Sequence, residues 1–295
     1  MKTLLLLFLV IHISVGMQKE TNTLQNLEAK ITALLQTQHG TFAVAFTDMQ
    51  THEQLLMNAK EQFHAASTMK TPVMIEVFRQ TEQKLLSLND SLTVVNKFTS
   101  IMDSSMYSLE IASDSDDHLY SSIGKKISIS ELIISMITVS SNFATNILIE
   151  KVTAKNILAT MRLMGAKDIQ VLRGVEDSKA FQAGKNNTTT AYDLMLLFEH
   201  LAKKTAVSEK ASDEMMQILF QQQFNDMLPA LLPKDVRVAH KTGSITGVQH
   251  DSGIIVLPDG RKYVLVVLSK NLSSAKEGIA TIAEISKLIY EYEIH

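Results

Sequence analysis

Hydrophobic positions along the chain change period four times. Leu24, Leu27, Ile31, Leu34 and Leu35 recur at helical spacing, predicting a helix over residues 22–37, and Gly40 ends it. Thr41-Phe42-Ala43-Val44-Ala45-Phe46 alternates large and small residues and reads as a strand, with a return strand over residues 52–57. From Ser67 to about Gln223 the pattern is mostly helical, broken by polar loops. Within that block Ser128-Ile129-Ser130-Glu131 is a capping box ahead of Leu132, Ile133, Met136 and Ile137. Further helices are predicted over residues 142–151, 154–164 and 190–203. The period then returns to two. Val236 to His240 is a short strand running into Lys241, and residues 253–257 and 262–268 are strands joined by the turn Pro258-Asp259-Gly260. Ile279, Ile282, Ile285, Leu288 and Ile289 mark a last helix over residues 275–292.

The strands at either end are too few for separate sheets. The simplest packing is an α+β fold with one antiparallel sheet of about five strands from both chain ends, flanked by the terminal helices. The helical block is then a large inserted all-helical lobe. The expected division is residues 17–66 and 230–295 for the α/β lobe and 67–229 for the helical lobe, with a cleft between them.

Composition narrows the classes of function. The 295 residues are 45% hydrophobic and 20% charged, with a net charge of −3, which fits a globular protein and gives nucleic acid no basic patch to bind. The N-terminus departs from this average. Lys2 precedes the apolar run Leu4 to Ile11, too short to span a bilayer, and Ser14-Val15-Gly16 places small residues at a cleavage site. Residues 1–16 read as a signal peptide, which makes the mature chain an exported, periplasmic or secreted protein with no membrane segment. There is no cysteine, hence no disulfide and no thiol nucleophile. The nine histidines show no metal-ligand spacing, so neither a metal nor another cofactor is expected.

Candidate chemistry lies in three short motifs. Ser67-Thr68-Met69-Lys70 comes first, Ser140-Ser141-Asn142 second and Lys241-Thr242-Gly243 third. Singly they are weak, since S-x-x-K recurs at Ser122–Lys125 and Ser273–Lys276. The ordered set carries the information. On a helix, Lys70 sits one turn from Ser67, so its amine can take the hydroxyl proton once its pKa is depressed, and Lys241 can supply the depressing charge. The bland alternative is a helix cap followed by a surface lysine. Ser140 can relay a proton to a leaving nitrogen, and Asn142 offers a substrate amide both a donor and an acceptor; helix capping is the competing reading for both. Lys241 and Thr242 suit a substrate carboxylate, and Gly243 lets a substrate backbone approach. The backbone N–H groups of Ser244 and Ser67 form an oxyanion hole. Glu176, in a polar loop ahead of Thr188-Thr189-Thr190, is a candidate general base for water, against the alternative of a surface acid.

With these motifs the chain resembles the class A serine β-lactamases and, more broadly, the penicillin-recognising serine hydrolases. Thr138-Val139-Ser140-Ser141-Asn142-Phe143-Ala144-Thr145-Asn146 is similar to that family's T-x-S-D-N-T-A-A-N segment, and Thr188-Thr189-Thr190 to its threonine run. The resemblance spans essentially the whole mature chain. It implies a small-molecule β-lactam substrate, a monomer, and an acyl-enzyme on Ser67. Lys70, or Glu176 through a water, takes the Ser67 proton. Ser140 protonates the lactam nitrogen, Glu176 activates the deacylating water, and Lys241, Thr242 and Ser140 hold the substrate carboxylate. The related alternatives are a cell-wall peptide carboxypeptidase or transpeptidase and a slowly deacylating β-lactam-binding protein. Three departures stand out. Ser141 replaces the usual Asp, Ala180 stands where the family carries an Asn, and no Arg follows Lys241-Thr242-Gly243 before Gly253, which leaves His250 as a substitute carboxylate ligand.

Overall fold

A computed structural model describes residues 23–295. The signal-peptide reading of residues 1–16 lies outside the described residues. Among the described residues no helix is long and apolar enough to cross a membrane.

Helix α1 (Leu24–Gln36) is capped by Thr23 and leads into β1 (Thr41–Asp48) and β2 (Gln54–Met57). The chain then leaves the sheet through β3 (Phe63–His64) and a 3-10 turn, Ala66–Met69, into α2 (Lys70–Glu82). Short strands follow: β4 (Ser91–Thr93), β5 (Phe98–Thr99), β6 (Met106–Tyr107) and β7 (Lys126–Ser128). Next come α3 (Ile129–Thr138), α4 (Asn142–Val152), α5 (Ala154–Leu163), α6 (Ser178–Gln182), β8 (Thr188–Thr189), α7 (Ala191–Ala202) and α8 (Glu209–Leu219). The chain returns through β9 (Arg237–Ile245), β10 (Val248–Val256) and β11 (Lys262–Lys270) and closes with α9 (Ala275–Glu293).

The five-stranded sheet has the order β2-β1-β11-β10-β9, antiparallel throughout, and so joins the two chain ends as the strand pattern predicts. Its two faces follow the period of two. Phe42, Val44 and Phe46 pack with Tyr263, Leu265 and Val267 against Leu27 and Ile31 of α1 and Ile282, Ile285 and Ile289 of α9. Ala43 and Ala45, with Val264, Val266 and Leu268, face a second core with the inserted helices. The insert is not purely helical: it also carries short ladders, β4 with β7 and β5 with β6, while β3 pairs with β8. These ladders are two or three residues long, too short for a periodic signal.

Local rules explain most boundaries. The capping box at Ser128 and Glu131 is formed in both directions. Asp259-Gly260 makes the β10–β11 turn, with Gly260 at φ 88°. The β9–β10 hairpin is longer than its hydrophobic pattern. Gln249, His250, Asp251 and Ser252 are buried polar residues, and each is hydrogen-bonded there. Strand alternation is hidden where the inward side chains are polar.

Candidate active site

Ser67 lies in the 3-10 turn, not in the first turn of an α-helix, and Lys70 is the first residue of α2. The two remain three residues apart on one turn. The turn is pinned from both sides. Thr68 Oγ1 donates to the Ala65 carbonyl at 2.6 Å, and the Ala66 N–H donates to His64 Nδ1 at 3.0 Å. Ala66 takes φ 44°, a left-handed value that costs a non-glycine residue roughly 1 kcal/mol or more and marks a strained approach to Ser67. Gly243 on β9 lies behind it. A Cβ there would stand 3.1 Å from both the Ser67 and the Thr68 amide nitrogens. The close approach that requires this glycine is therefore to the Ser67 backbone, where the sequence points to a substrate.

Lys70 is fully buried. Its Nζ donates to the Ser140 carbonyl at 2.6 Å, to Ser140 Oγ at 3.1 Å and to Asn142 Oδ1 at 2.9 Å. Three donors meet three acceptors. Burial first, then the charge of Lys241, hold its pKa well below the ordinary lysine range, opposed by Asp114 and Glu176. Lys241 is buried as deeply, and its Nζ donates to Ser140 Oγ at 3.1 Å and to the Thr242 carbonyl at 3.0 Å. Burial pushes its pKa down to about 7, with Asp251 opposing. Ser140 Oγ thus touches both amines. Its backbone sits at φ 61°, so the loop between α3 and α4 holds it in a conformation that L-residues seldom adopt.

Asn142 opens α4 and joins the two sides of the site. Its Oδ1 accepts from Lys70, while its amide lowers the pKa of Glu176 by hydrogen bonding to that carboxylate. Glu176 is half-buried at φ 62°. Burial and the neighbouring Asp114 raise its pKa, and the Asn142 side chain and the Glu110 backbone counter this by hydrogen bonding. The loop that carries it is fixed at the preceding residue. Asn146 Oδ1 accepts from the Val175 N–H at 2.6 Å, and Asn146 Nδ2 donates to the Val175 carbonyl at 3.0 Å. Asp177 caps α6 and accepts from Ser100 Oγ at 2.8 Å and from the Ile101 N–H at 3.0 Å. Arg173 and Asn187 close the loop base, Asn187 Oδ1 accepting from the Leu172 N–H at 2.8 Å. Apart from the Asp177 cap, these anchors have no local sequence signal, since their partners lie 14 to 77 residues away.

A cleft of about 630 Å³ opens over these groups, lined among others by Ser67, Asn142, Glu176, Phe181 and Ser244. Ser244 is exposed at the end of β9, with its Oγ accepting from Gln249 Nε2 at 2.8 Å, and Thr242 is buried beside Lys241. Of the eight expected site residues, Ser67, Asn142, Glu176 and Ser244 line the cleft, Lys70, Ser140 and Lys241 form a buried hydrogen-bonded group that joins it through Asn142, and Thr242 follows Lys241 on β9. His250 does not join them. It is fully buried, with Nδ1 accepting from the Ser269 N–H at 3.1 Å and Nε2 2.9 Å from the His64 carbonyl. Burial lowers its pKa to about 4, so it stays neutral and has no charge to offer a substrate carboxylate. Ala180 is buried inside α6 and presents no polar group to the cleft.

The fold is that of the β-lactamases and penicillin-binding proteins, and it sets Ser140 between two buried lysines, with Ser67 lining the cleft. The model of the β-lactamase enzyme family matches residues 26–293, and the chain belongs to that family. It is 26% identical over 278 residues to the extended-spectrum β-lactamase PER-1 of Pseudomonas aeruginosa, covering 91% of this chain and 87% of that one. Among solved structures, that of PBP-A aligns with a TM-score of 0.80 at 26% identity, covering 92% of this chain and 97% of its own. A β-lactamase from Sphaerobacter thermophilus aligns with a TM-score of 0.76 at 25% identity, covering 92% and 98%.

Proposed function

We propose that this chain is an exported, monomeric class A serine β-lactamase. Its substrate enters between the α/β lobe (17–66 and 230–295) and the helical lobe (67–229). The observation that carries the reading is Ser140 Oγ, 3.1 Å from both Lys70 Nζ and Lys241 Nζ, with Lys70 one turn after Ser67. Two ammonium groups sharing one buried hydroxyl disfavour each other's charge, and a neutral amine becomes accessible near neutral pH.

Ser67 Oγ attacks the lactam carbonyl while Lys70, or Glu176 through a water, takes its proton. The backbone N–H groups of Ser67 and Ser244 receive the developing oxyanion. Ser140 gives its proton to the lactam nitrogen as the C–N bond breaks, and recovers one from the lysine pair. Lys241, Thr242 and Ser140 hold the substrate carboxylate, and Asn142 holds the amide of the acyl side chain. Glu176 then removes a proton from water, which cleaves the Ser67 ester and frees the enzyme.

A second reading, a slowly deacylating β-lactam-binding protein, is favoured by one group of observations. Asn146 clamps Val175 rather than Glu176, the Glu176 carboxylate is engaged by Asn142 and Glu110, and its pKa is raised. A carboxylate already engaged by hydrogen bonds has fewer lone pairs free to take a proton from water. Hydrolysis of a chromogenic cephalosporin separates the two. The β-lactamase reading expects steady turnover, and Glu176→Gln lowering it by about 10²-fold or more. A single stoichiometric burst supports the binding protein. Equal turnover in Glu176→Gln removes the assigned role of Glu176.

A further inference from the structure

Helix α4 begins at Asn142, and its first amides need acceptors from outside the helix. Ser141, the residue before it, takes only one of them: its Oγ accepts from the Ala144 N–H at 3.2 Å. The other two go to a distant side chain. The Asn142 N–H donates to Asp114 Oδ1 at 2.9 Å, and the Phe143 N–H donates to Asp114 Oδ2 at 2.8 Å. A carboxylate at a helix N-terminus takes two amides and is stabilised by the helix dipole, which a hydroxyl cannot match. Tyr120 Oη donates to Asp114 Oδ2 at 3.2 Å, and burial together with Asp114 keeps that phenol protonated as a donor. Asp114 thus holds the two residues that follow Ser141's own backbone, directly downstream of Ser140.

We propose that Asp114 is a positioning residue of the active site. From the loop before Tyr120 it supplies the carboxylate that Ser140-Ser141-Asn142 lacks, fixing Ser140 and Asn142 and presenting a fixed negative charge to Lys70 and Glu176. The proposal rests on the hydrolase reading above.

The charged groups around it set the sign of the test. Lys70 faces Lys241, Asp114 and Glu176; Glu176 faces Asp114, Glu110 and the Asn142 amide; Asp114 itself faces Tyr120, with Asp116 nearby. Removing the charge of Asp114 lets Glu176 ionise at lower pH, because a repelling anion is gone. It also lets Lys70 lose its proton at lower pH, because an attracting anion is gone. Whichever group is the base, the acid limb of the rate profile moves to lower pH.

The experiment compares wild type, Asp114→Asn, Asp114→Ala and Asp114→Ala with Ser141→Asp. The carboxylate introduced by Ser141→Asp sits at the N-cap, within reach of the Phe143 and Ala144 amides. With a chromogenic cephalosporin, kcat/KM is expected to fall about 10-fold in Asp114→Ala through misplacement of Ser140, and to recover in the double variant. The acid limb in Asp114→Asn is expected about half a pH unit or more below that of wild type. Two readouts need no turnover: amide hydrogen exchange at Asn142 and Phe143, faster in Asp114→Ala, with Phe143 alone slowed again by Ser141→Asp, and the Glu176 carboxyl titration by 13C NMR, shifted down in Asp114→Asn. Unchanged exchange, or an unmoved Glu176 titration and acid limb, overturns the proposal. If wild type never acylates Ser67, the hydrolase reading fails on its own, and the exchange and titration readouts still decide the placement of Asp114.

Discussion

Lys241→Met is expected to stabilise the protein at acid pH while removing its activity. Lys241 is fully buried, and burial takes its pKa from 10.5 to about 7. The folded state therefore binds fewer protons than the unfolded state between pH 7 and pH 10.5, and this group makes stability rise with pH across that window. Below pH 7 the full penalty is present. It corresponds to about 5 kcal/mol, from about 1.36 kcal/mol for each factor of ten in proton affinity. At pH 9 the unfolded lysine is still largely protonated, and about 2 kcal/mol of the penalty remains. Methionine fills a similar volume with no charge to bury. The hydrogen bonds that it forfeits, to Ser140 Oγ and the Thr242 carbonyl, lower its stability to the same extent at both pH values. The stability difference between Lys241→Met and wild type should thus favour methionine by about 3 kcal/mol more at pH 6 than at pH 9. Urea denaturation at the two pH values measures it, and loss of the Lys241 charge also relieves Lys70 at acid pH, which adds to the difference in the same direction. A difference that is the same at pH 6 and pH 9 refutes the reasoning, because it means that the Lys241 amine is not held against its charge.

Two glycine substitutions test the architecture around the nucleophile and its loop. Gly243→Ala puts a Cβ 3.1 Å from the backbone nitrogens of Ser67 and Thr68. A shift of a few tenths of an ångström in the nucleophile turn should lower kcat/KM by about 10-fold or more, with a stability loss of about 1–3 kcal/mol by thermal melting. Gly174→Ala brings a Cβ within 2.7 Å of Tyr107 Oη and 2.8 Å of Asn146 Oδ1. It should displace the clamped loop and slow deacylation more than acylation, a split read by stopped-flow kinetics. Wild-type rates in both variants contradict the packing described.

Some parts of this site are readable in the sequence and others are hidden, for physical reasons. Ser67 with Lys70, Ser140 with Asn142, and Lys241 with Thr242 are local patterns, and each local pattern lands beside the same cleft. The helix start at Ser128 is equally open, because a cap and its amide are three residues apart. Asp114 is not, since it serves amides 28 and 29 residues away and stands in a stretch of acids that looks merely solvated. The clamp of Asn146 on Val175 is hidden for the same reason. His250 misleads in the opposite direction. A histidine a few residues beyond a lysine motif looks available, until the strand register buries it beneath Ser269 and His64.

Acylation of Ser67 is the claim on which the rest depends. Intact-mass spectrometry of the wild type mixed with a penicillin, quenched within milliseconds to seconds and followed by peptide mapping, tests it directly. The account predicts one added penicilloyl mass, located on the Ser67 peptide, persistent in Glu176→Gln and absent in Ser67→Ala. No adduct in either the wild type or Glu176→Gln, or an adduct that survives in Ser67→Ala, contradicts it.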